Sequence, residues 1–252
     1  MAVDGYQQQV RADDRQLENR KRLYTLFKNT PIPVDQLLVN LPLYMRSSVV
    51  AKMLYFDELY RMILKIPGHI LEFGVWWGQN LVLLENLRAV HEPYNHSRRI
   101  VGFDTFTGYP SPGDQDKGTY ALEAGGYTVS EGYVQYLREI LAYHEQENVM
   151  GHIKKTNIVV GDVRDTLGAF LAERPEFTIA LAEFDLALYE PTKVALEAIK
   201  PRLLPGSVIA LDEFNSGEMP GETQAFREVF GSRGYLVRRS AFLPDRTYVI
   251  LQ

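Results

Sequence analysis

Cysteine is absent from the 252 residues, which excludes disulfides, thiolate nucleophiles and cysteine-built zinc sites together. No apolar run is long enough for a membrane-spanning helix, which takes roughly 18 residues or more. Positive charge is in short supply: Lys plus Arg total 27 against 32 for Asp plus Glu, a formal charge of −5. A mildly acidic chain does not hold nucleic acid or an anionic membrane through a general electrostatic field. The first 20 residues lack the apolar segment of a secretory signal, so a soluble, cytoplasmic protein is expected. The Gly-x-Gly-x-x-Gly of a dinucleotide site is missing, as is the Gly-x-Ser-x-Gly of a serine hydrolase. Five histidines (His69, His91, His96, His144, His152) show no ligand spacing, and His144 alone sits where a base could face a loop.

What is present is a large core and a regular alternation. At 46% hydrophobic the chain can bury one sizeable domain. A polar, charge-rich start leads into a helix that ends before Pro31 and Pro33, and Val49, Met53, Phe56, Tyr60 and Ile63 recur at helical spacing over 46–65. Residues 1–66 therefore read as a helical arm or cap, its first 30 residues a packing arm or an oligomer contact. From residue 67 onward strands and helices alternate. Strands are expected at His69–Val75, Arg99–Thr105, Thr156–Asp162, Thr178–Asp185 and Ser207–Phe214, with a closing antiparallel pair at Tyr235–Phe242 and Thr247–Leu251. Helices are expected at Gln79–Val90, Glu131–Gln146, Thr166–Glu173, Pro191–Leu203 and Glu222–Phe230, the fourth stopped by Pro205-Gly206. Right-handed crossovers turn this order into an α/β, doubly wound, mostly parallel seven-stranded sheet with a terminal antiparallel hairpin. An insertion over about 106–152 begins with a stretch, Thr107 to Tyr127, rich in Gly, Pro and Tyr, the composition of a lid or binding loop.

Three strand ends carry the groups of a nucleoside pocket. Glu72-Phe73-Gly74-Val75-Trp76-Trp77-Gly78 opens a helix after strand one, and its glycines let backbone approach a ligand. The acid before Gly74 suits a ligand with a positively charged end, although a plain structural turn uses the same residues. Asp104, ending strand two, can accept from ribose hydroxyls, or it can cap a helix. Gly161-Asp162 can receive an adenine amino group, or simply turn the chain. A nucleoside site without a phosphate cradle points to S-adenosylmethionine. Trp76, Trp77, Tyr109, Tyr120 and Tyr127 are candidates for its walls or for the core.

The next two strands end on carboxylates: Asp185 on the fourth, Asp212 and Glu213 on the fifth. Three such groups on neighbouring edges call for a cation, and an all-oxygen set suits Mg²⁺, Mn²⁺ or Ca²⁺ better than zinc. An ion there can orient a substrate hydroxyl and lower its pKa, with transfer completed by alignment.

These stretches, together with Gly102-Phe103-Asp104-Thr105-Phe106-Thr107-Gly108, Gly161 to Leu167, Asp185 to Thr192 and Pro201 to Glu213, resemble the macrocin O-methyltransferase family over roughly residues 65–230. The resemblance implies a class I, S-adenosylmethionine-dependent and metal-dependent methyltransferase. Its acceptor would be a hydroxyl, in many members that of a sugar, on a bacterial natural product. It implies Mg²⁺ held by Asp185, Asp212 and Glu213, with Asp185 also the candidate general base. The residues taken as cofactor-binding are Glu72, Phe73, Gly74, Gly78, Asp104, Thr105, Gly161, Asp162 and Asp185. A small glycosylated substrate and a homo-oligomer, its N-terminal arm covering a neighbour's site, complete the expectation. Two positions depart from the pattern: Ala187 stands where the family usually has a second Asp, and Glu213 where it usually has Asp. Three other readings compete: a catechol or phenol acceptor, an NAD-dependent oxidoreductase disfavoured by the glycine spacing, and a non-catalytic S-adenosylmethionine-binding protein.

Overall fold

The computed structural model describes residues 12–118 and 122–252. Seven strands form one sheet: β1 (His69–Phe73), β2 (Ile100–Asp104), β3 (Thr156–Val160), β4 (Ile179–Phe184), β5 (Leu203–Leu211), β6 (Tyr235–Arg239) and β7 (Thr247–Leu251). Their order is β3-β2-β1-β4-β5-β7-β6. The first five run parallel, while β7 pairs antiparallel with β5 and β6 antiparallel with β7. Eight α-helices are described: α1 (Asp14–Lys28), α2 (Val34–Leu37), α3 (Ser47–Met62), α4 (Gln79–His91), α5 (Tyr133–Glu147), α6 (Val163–Ala172), α7 (Tyr189–Ile199) and α8 (Gly221–Phe230).

Parallel strands are covered on both faces, so they read as apolar runs rather than alternations. All six residues of β4 are buried. Alternate side chains feed two cores. Leu71, Phe73, Val101 and Phe103 meet α6, α7 and α8 on one face, through residues such as Leu167, Leu196 and Phe226. Ile70, Ile100, Leu181 and Val208 meet α3, α4 and α5 on the other, through Phe56, Leu84 and Leu141. The arm expected at 1–66 is thereby divided: α3 belongs to the second core, whereas α1 buries none of its residues.

Two of the boundaries that fall elsewhere than the sequence suggests have a local cause. Helix α6 begins at Val163 rather than Thr166, because the Asp162 side chain accepts from the Arg164 N–H and caps it there. Helix α7 stops at Ile199, and after one tight turn at Lys200–Arg202 the chain is already in β5 by Leu203. Pro205-Gly206, expected to end the helix, lies inside that strand. The ladder to β4 is irregular there, passing from Ile179↔Leu203 to Leu181↔Val208, and a proline without an N–H is tolerated at such a break.

The chain winds from β1 outward through β2 to β3, then returns to β4 and β5 on the other side of β1. The direction of winding thus reverses between β1 and β4, and the crevice beyond their C-terminal ends is where an open α/β sheet takes a ligand.

Candidate active site

A cavity of about 290 Å³ opens over that crevice. One side is made by the loops after β1, β2 and β3. Gly74 has φ +94°, and any side chain on it would collide with the carbonyl oxygen of Asp185. That close approach lets the Asp185 N–H donate to the Phe73 carbonyl at 2.8 Å, so the loops after β1 and β4 are tied where the sheet switches direction. Asp104 and Thr105 are in the wall, as are Gly161 and Asp162. Asp104 is partly committed: Oδ2 accepts from the Val75 and Trp76 N–H groups at 2.7 Å each, and Oδ1 from Phe106 N–H at 2.6 Å. Burial pushes its pKa up and these amides hold it back. A carboxylate has about four acceptor positions, so one on Oδ1 is left for a ligand hydroxyl. Asp162 is engaged more fully, capping α6 and pairing with the Arg164 guanidinium at 2.5 Å, which lowers its pKa. Asp162 thus caps a helix at a strand-end turn while standing in the wall, whereas Asp104 caps none: its amides come from the loops after β1 and β2.

Three residues expected at the cofactor are not in the wall of this cavity. Phe73 is fully buried, its ring 4.6 Å from that of Phe184 and 5.4 Å from that of Phe103. Gly78 takes φ +74° to start α4 and is packed against Leu137; it borders a second, largely apolar cavity between α3, α4 and α5. Glu72 is fully buried behind the cavity, and neither of its oxygens meets a hydrogen-bond partner. A glycine-and-acid turn read from sequence does not say which of its residues point outward, and here β1 sends two of them into the sheet.

The carboxylates do converge. Asp185 and Asp212 line the cavity, and each places an oxygen within 4.8 Å of the other and of one from Glu183. Glu213 is also in the wall but outside that trio. Glu183 is the acid of this trio that sequence reasoning missed. Its signal was legible: a lone acid in an apolar strand, two residues before Asp185 and hence on the same face. Glu72 lies directly across the ladder from Glu183, so one face of β1 and β4 carries two adjacent buried acids. Burial drives both pKa values well above the usual carboxylate range; Asp185 and Asp104 add to it at Glu72, Asp185 and Glu72 add to it at Glu183, and Lys52 of α3 opposes both. Asp212 is pushed up to about 7 by burial and by Asp185, against the pull of Arg246. Glu213 is pushed up to about 9 by burial, then by Asp212 and Glu222.

Two cations face this charge. Arg246, on the turn between β6 and β7, forms an ion pair with Asp212 Oδ2 and donates to the Asp212 carbonyl at 2.9 Å. Lys52 reaches the wall from α3. Behind them Glu222, at the start of α8 and fully buried, accepts from Leu186 N–H at 2.9 Å and from Ala187 and Glu213 N–H at 3.0 Å. Burial and Asp212 push it up to about 8. Ala187 is 1% exposed and absent from the wall, so the acid missing at that position is not missing from the cavity surface.

The stretch from Thr107 closes one side with Tyr109 and Tyr127, whose ring centroids are 5.2 Å apart, and Trp76 completes the aromatic wall. Trp77 turns to Tyr133 instead, 4.7 Å away, and Tyr120 lies outside the described residues. His144 is not in the wall. Tyr189 and Lys193 have the Tyr-x-x-x-Lys spacing of an oxidoreductase pair, but they bond to each other and to Glu228 away from the cavity.

A sequence model of the Macrocin-O-methyltransferase (TylF) family matches residues 51–233. The calicheamicin methyltransferase CalS11 has a solved structure that superposes with TM-score 0.91 at 43% identity, covering 99% of each chain. An apo structure of CalS11, described as a TDP-rhamnose 3'-O-methyltransferase, gives TM-score 0.84 at 42% identity over 96% of each chain. Two curated relatives match over 152 residues. The 8-demethyl-8-(2,3-dimethoxy-alpha-L-rhamnosyl)-tetracenomycin-C 4'-O-methyltransferase of Streptomyces olivaceus is 26% identical, over 59% of this chain and 54% of that one. The demethyldecarbamoylnovobiocin O-methyltransferase of Streptomyces niveus is 24% identical, over 59% and 53%. The match spans about half the length of these two relatives. The architecture is that of class I methyltransferases, as the sequence implied.

Proposed function

The chain belongs to the macrocin O-methyltransferase family, and we propose on that premise that it transfers the methyl group of S-adenosylmethionine to a hydroxyl on the sugar of a bacterial natural product. The observation that carries this reading is Asp185: it stands beside Asp212 in the same cavity that the ends of β1, β2 and β3 enter. The acceptor class follows the relatives, whose names give TDP-rhamnose, a rhamnosyl tetracenomycin and demethyldecarbamoylnovobiocin as substrates.

S-adenosylmethionine supplies an electrophilic methyl on a sulfonium. What remains for the protein is to hold an acceptor oxygen in line and remove its proton. Asp185 takes that proton, its backbone fixed against β1 through the Phe73 carbonyl. Gly74, Asp104 and Asp162 offer the donor molecule a surface free of bulky groups, with acceptors at its edge. The trio Glu183, Asp185 and Asp212 fits a hard divalent cation: three oxygens within 4.8 Å, one acid buried, and Glu183 Oε2 without a partner. Mg²⁺, Mn²⁺ or Ca²⁺ held there would act as a Lewis acid on the acceptor hydroxyl. Glu183 then joins Asp185 and Asp212 as the third ligand, and Glu213 stands beside them. A second reading has one observation in its favour: Arg246 already pairs with Asp212, so Arg246 and Lys52 can supply the positive charge without a metal.

The test is turnover with S-adenosylmethionine over a panel of glycosylated natural products and nucleotide-activated sugars, with each cation in turn. Calorimetric binding of NAD and none of S-adenosylhomocysteine would end the methyltransferase reading. Undiminished turnover after exhaustive chelation would select the metal-free one.

The same reading extends to assembly as a homo-oligomer through the N-terminal arm, where Tyr24 and Leu26 are 63% and 56% exposed. A chain lacking residues 1–30 should lose assembly and activity; full retention of both would refute this.

A further inference from the structure

The loop that carries Asp185 has every amide spoken for. Asp185 N–H donates to Phe73, Leu188 N–H to the Leu186 carbonyl at 2.6 Å, and Tyr189 N–H to Asp116 Oδ1 at 2.6 Å. The remaining two, Leu186 and Ala187, both donate to Glu222 Oε1, whose other oxygen receives Glu213 N–H from the end of the next strand. One side chain therefore joins the two strand ends that bear Asp185 and Asp212. We propose that Glu222 is a positioning residue, which holds Asp185 in register with Asp212 without touching a ligand.

Three observations bear on this. Glu222 is 0% exposed and absent from the cavity wall, so it is placed to act on the backbone rather than on substrate. It springs from α8, which is set in the core by Ala225 and Phe226, both 0% exposed, so the anchor is the rigid part of the fold. The loop it grips is strained. Ala187 takes φ +58°, a left-handed conformation that is unfavourable for a non-glycine residue and persists only where the surroundings impose it. Gly221 shows how closely the helix start is pressed to the loop: a Cβ there would lie 2.5 Å from both Asp116 Oδ1 and Tyr189 N. Accepting three amides takes an acceptor oxygen on both arms of the side chain. Glutamine keeps one of them and turns an N–H toward the amide of Glu213.

The inference rests on Asp185 as the proton acceptor, and a double-mutant cycle separates the two claims. The kcat, the KM for each substrate, the affinity for S-adenosylhomocysteine and the melting temperature are compared for Asp185→Asn, Glu222→Gln and the pair. Glu222→Gln is expected to lower kcat about tenfold or more while leaving S-adenosylhomocysteine affinity within about twofold. In the Asp185→Asn background the same change should move the residual rate by less than about twofold, since it acts through a group already removed. Equal losses in the two backgrounds, or a kcat lost only in proportion to cofactor affinity and melting temperature, would reduce Glu222 to a structural residue. Full activity in Glu222→Gln alone overturns this inference only; full activity in Asp185→Asn overturns the reading beneath it as well. Should Glu222→Gln fail to fold, hydrogen exchange in the native protein decides. The amides of Leu186, Ala187 and Glu213 should exchange about a hundredfold more slowly than that of Gly217, and equal rates would refute the staple.

Discussion

Two groups of buried acids occur in this molecule, and they are treated in opposite ways. On α4 and α5 each acid is matched. Glu85 receives Arg88 through two hydrogen bonds, at 2.9 and 2.8 Å, and Asn148 at 3.2 Å. Glu145 receives the N–H groups of Lys155 and Thr156. At the C-terminal edge of β1, β4 and β5, Glu72, Glu183, Asp185, Asp212 and Glu213 gather. Among the described residues only Lys52 and Arg246 oppose them, and three of the glutamate oxygens have no partner. Charges that serve the fold are neutralised within it. Charges left crowded and unmatched beside a cavity raise the energy of the folded chain and mark the place where a ligand is awaited.

Substitutions sharpen the contrast. The largest effect belongs to Asp185→Asn, expected to lower kcat about a thousandfold, roughly 4 kcal/mol of barrier, with S-adenosylhomocysteine affinity nearly intact. A variant that turned over normally would leave the second group without a catalytic member. Next comes Arg88→Met, which strands Glu85 in the interior. Urea unfolding should show a loss of about 3–5 kcal/mol while kcat per folded molecule stays the same. If stability were unmoved, the first group would not be structural.

Third is Glu183→Gln, expected to raise the Mg²⁺ concentration for half-maximal activity about 10–100-fold, whereas Glu213→Gln should raise it less. The reverse ranking would restore Glu213 as the third ligand. The smallest effect is a gain. Glu72→Gln removes an unmatched buried acid and should stabilise the protein by about 1 kcal/mol at pH 8. The sign follows from its raised pKa: the folded state keeps a proton that the unfolded chain, with a value near 4.5, releases. Stability is thus fullest below that pH and falls as pH rises. The advantage of Glu72→Gln should shrink toward pH 5, and melting curves at the two pH values would show a constant difference if the carboxyl were not buried and unmatched.

How far the site was legible depended on the range over which its parts communicate. Asp104, Asp185 and Asp212 could be read as strand-end acids because an apolar run closing on a carboxylate is a local pattern. Glu183 was within reach by the two-residue period of β4. Glu72 was visible as an acid but not as a buried one, because the sequence does not reveal that a second acid faces it from β4. Arg246 and Lys52 gave no signal: one lies on a terminal hairpin turn and the other on α3, well separated in the chain from the acids they face. Pro205-Gly206 misled because its helix-ending chemistry serves equally well at a break in a strand ladder.

By itself the sequence determined the alternation of strands and helices, the two-faced sheet and the strand ends on which the acids fall. Hydrophobic period and turn residues act over a few positions and need no distant partner. Tertiary structure alone decided that β1 lies against β4, and therefore which acids become neighbours, which cations face them and which glutamate staples the two loops. Those are long-range pairings, set by how buried faces fit together.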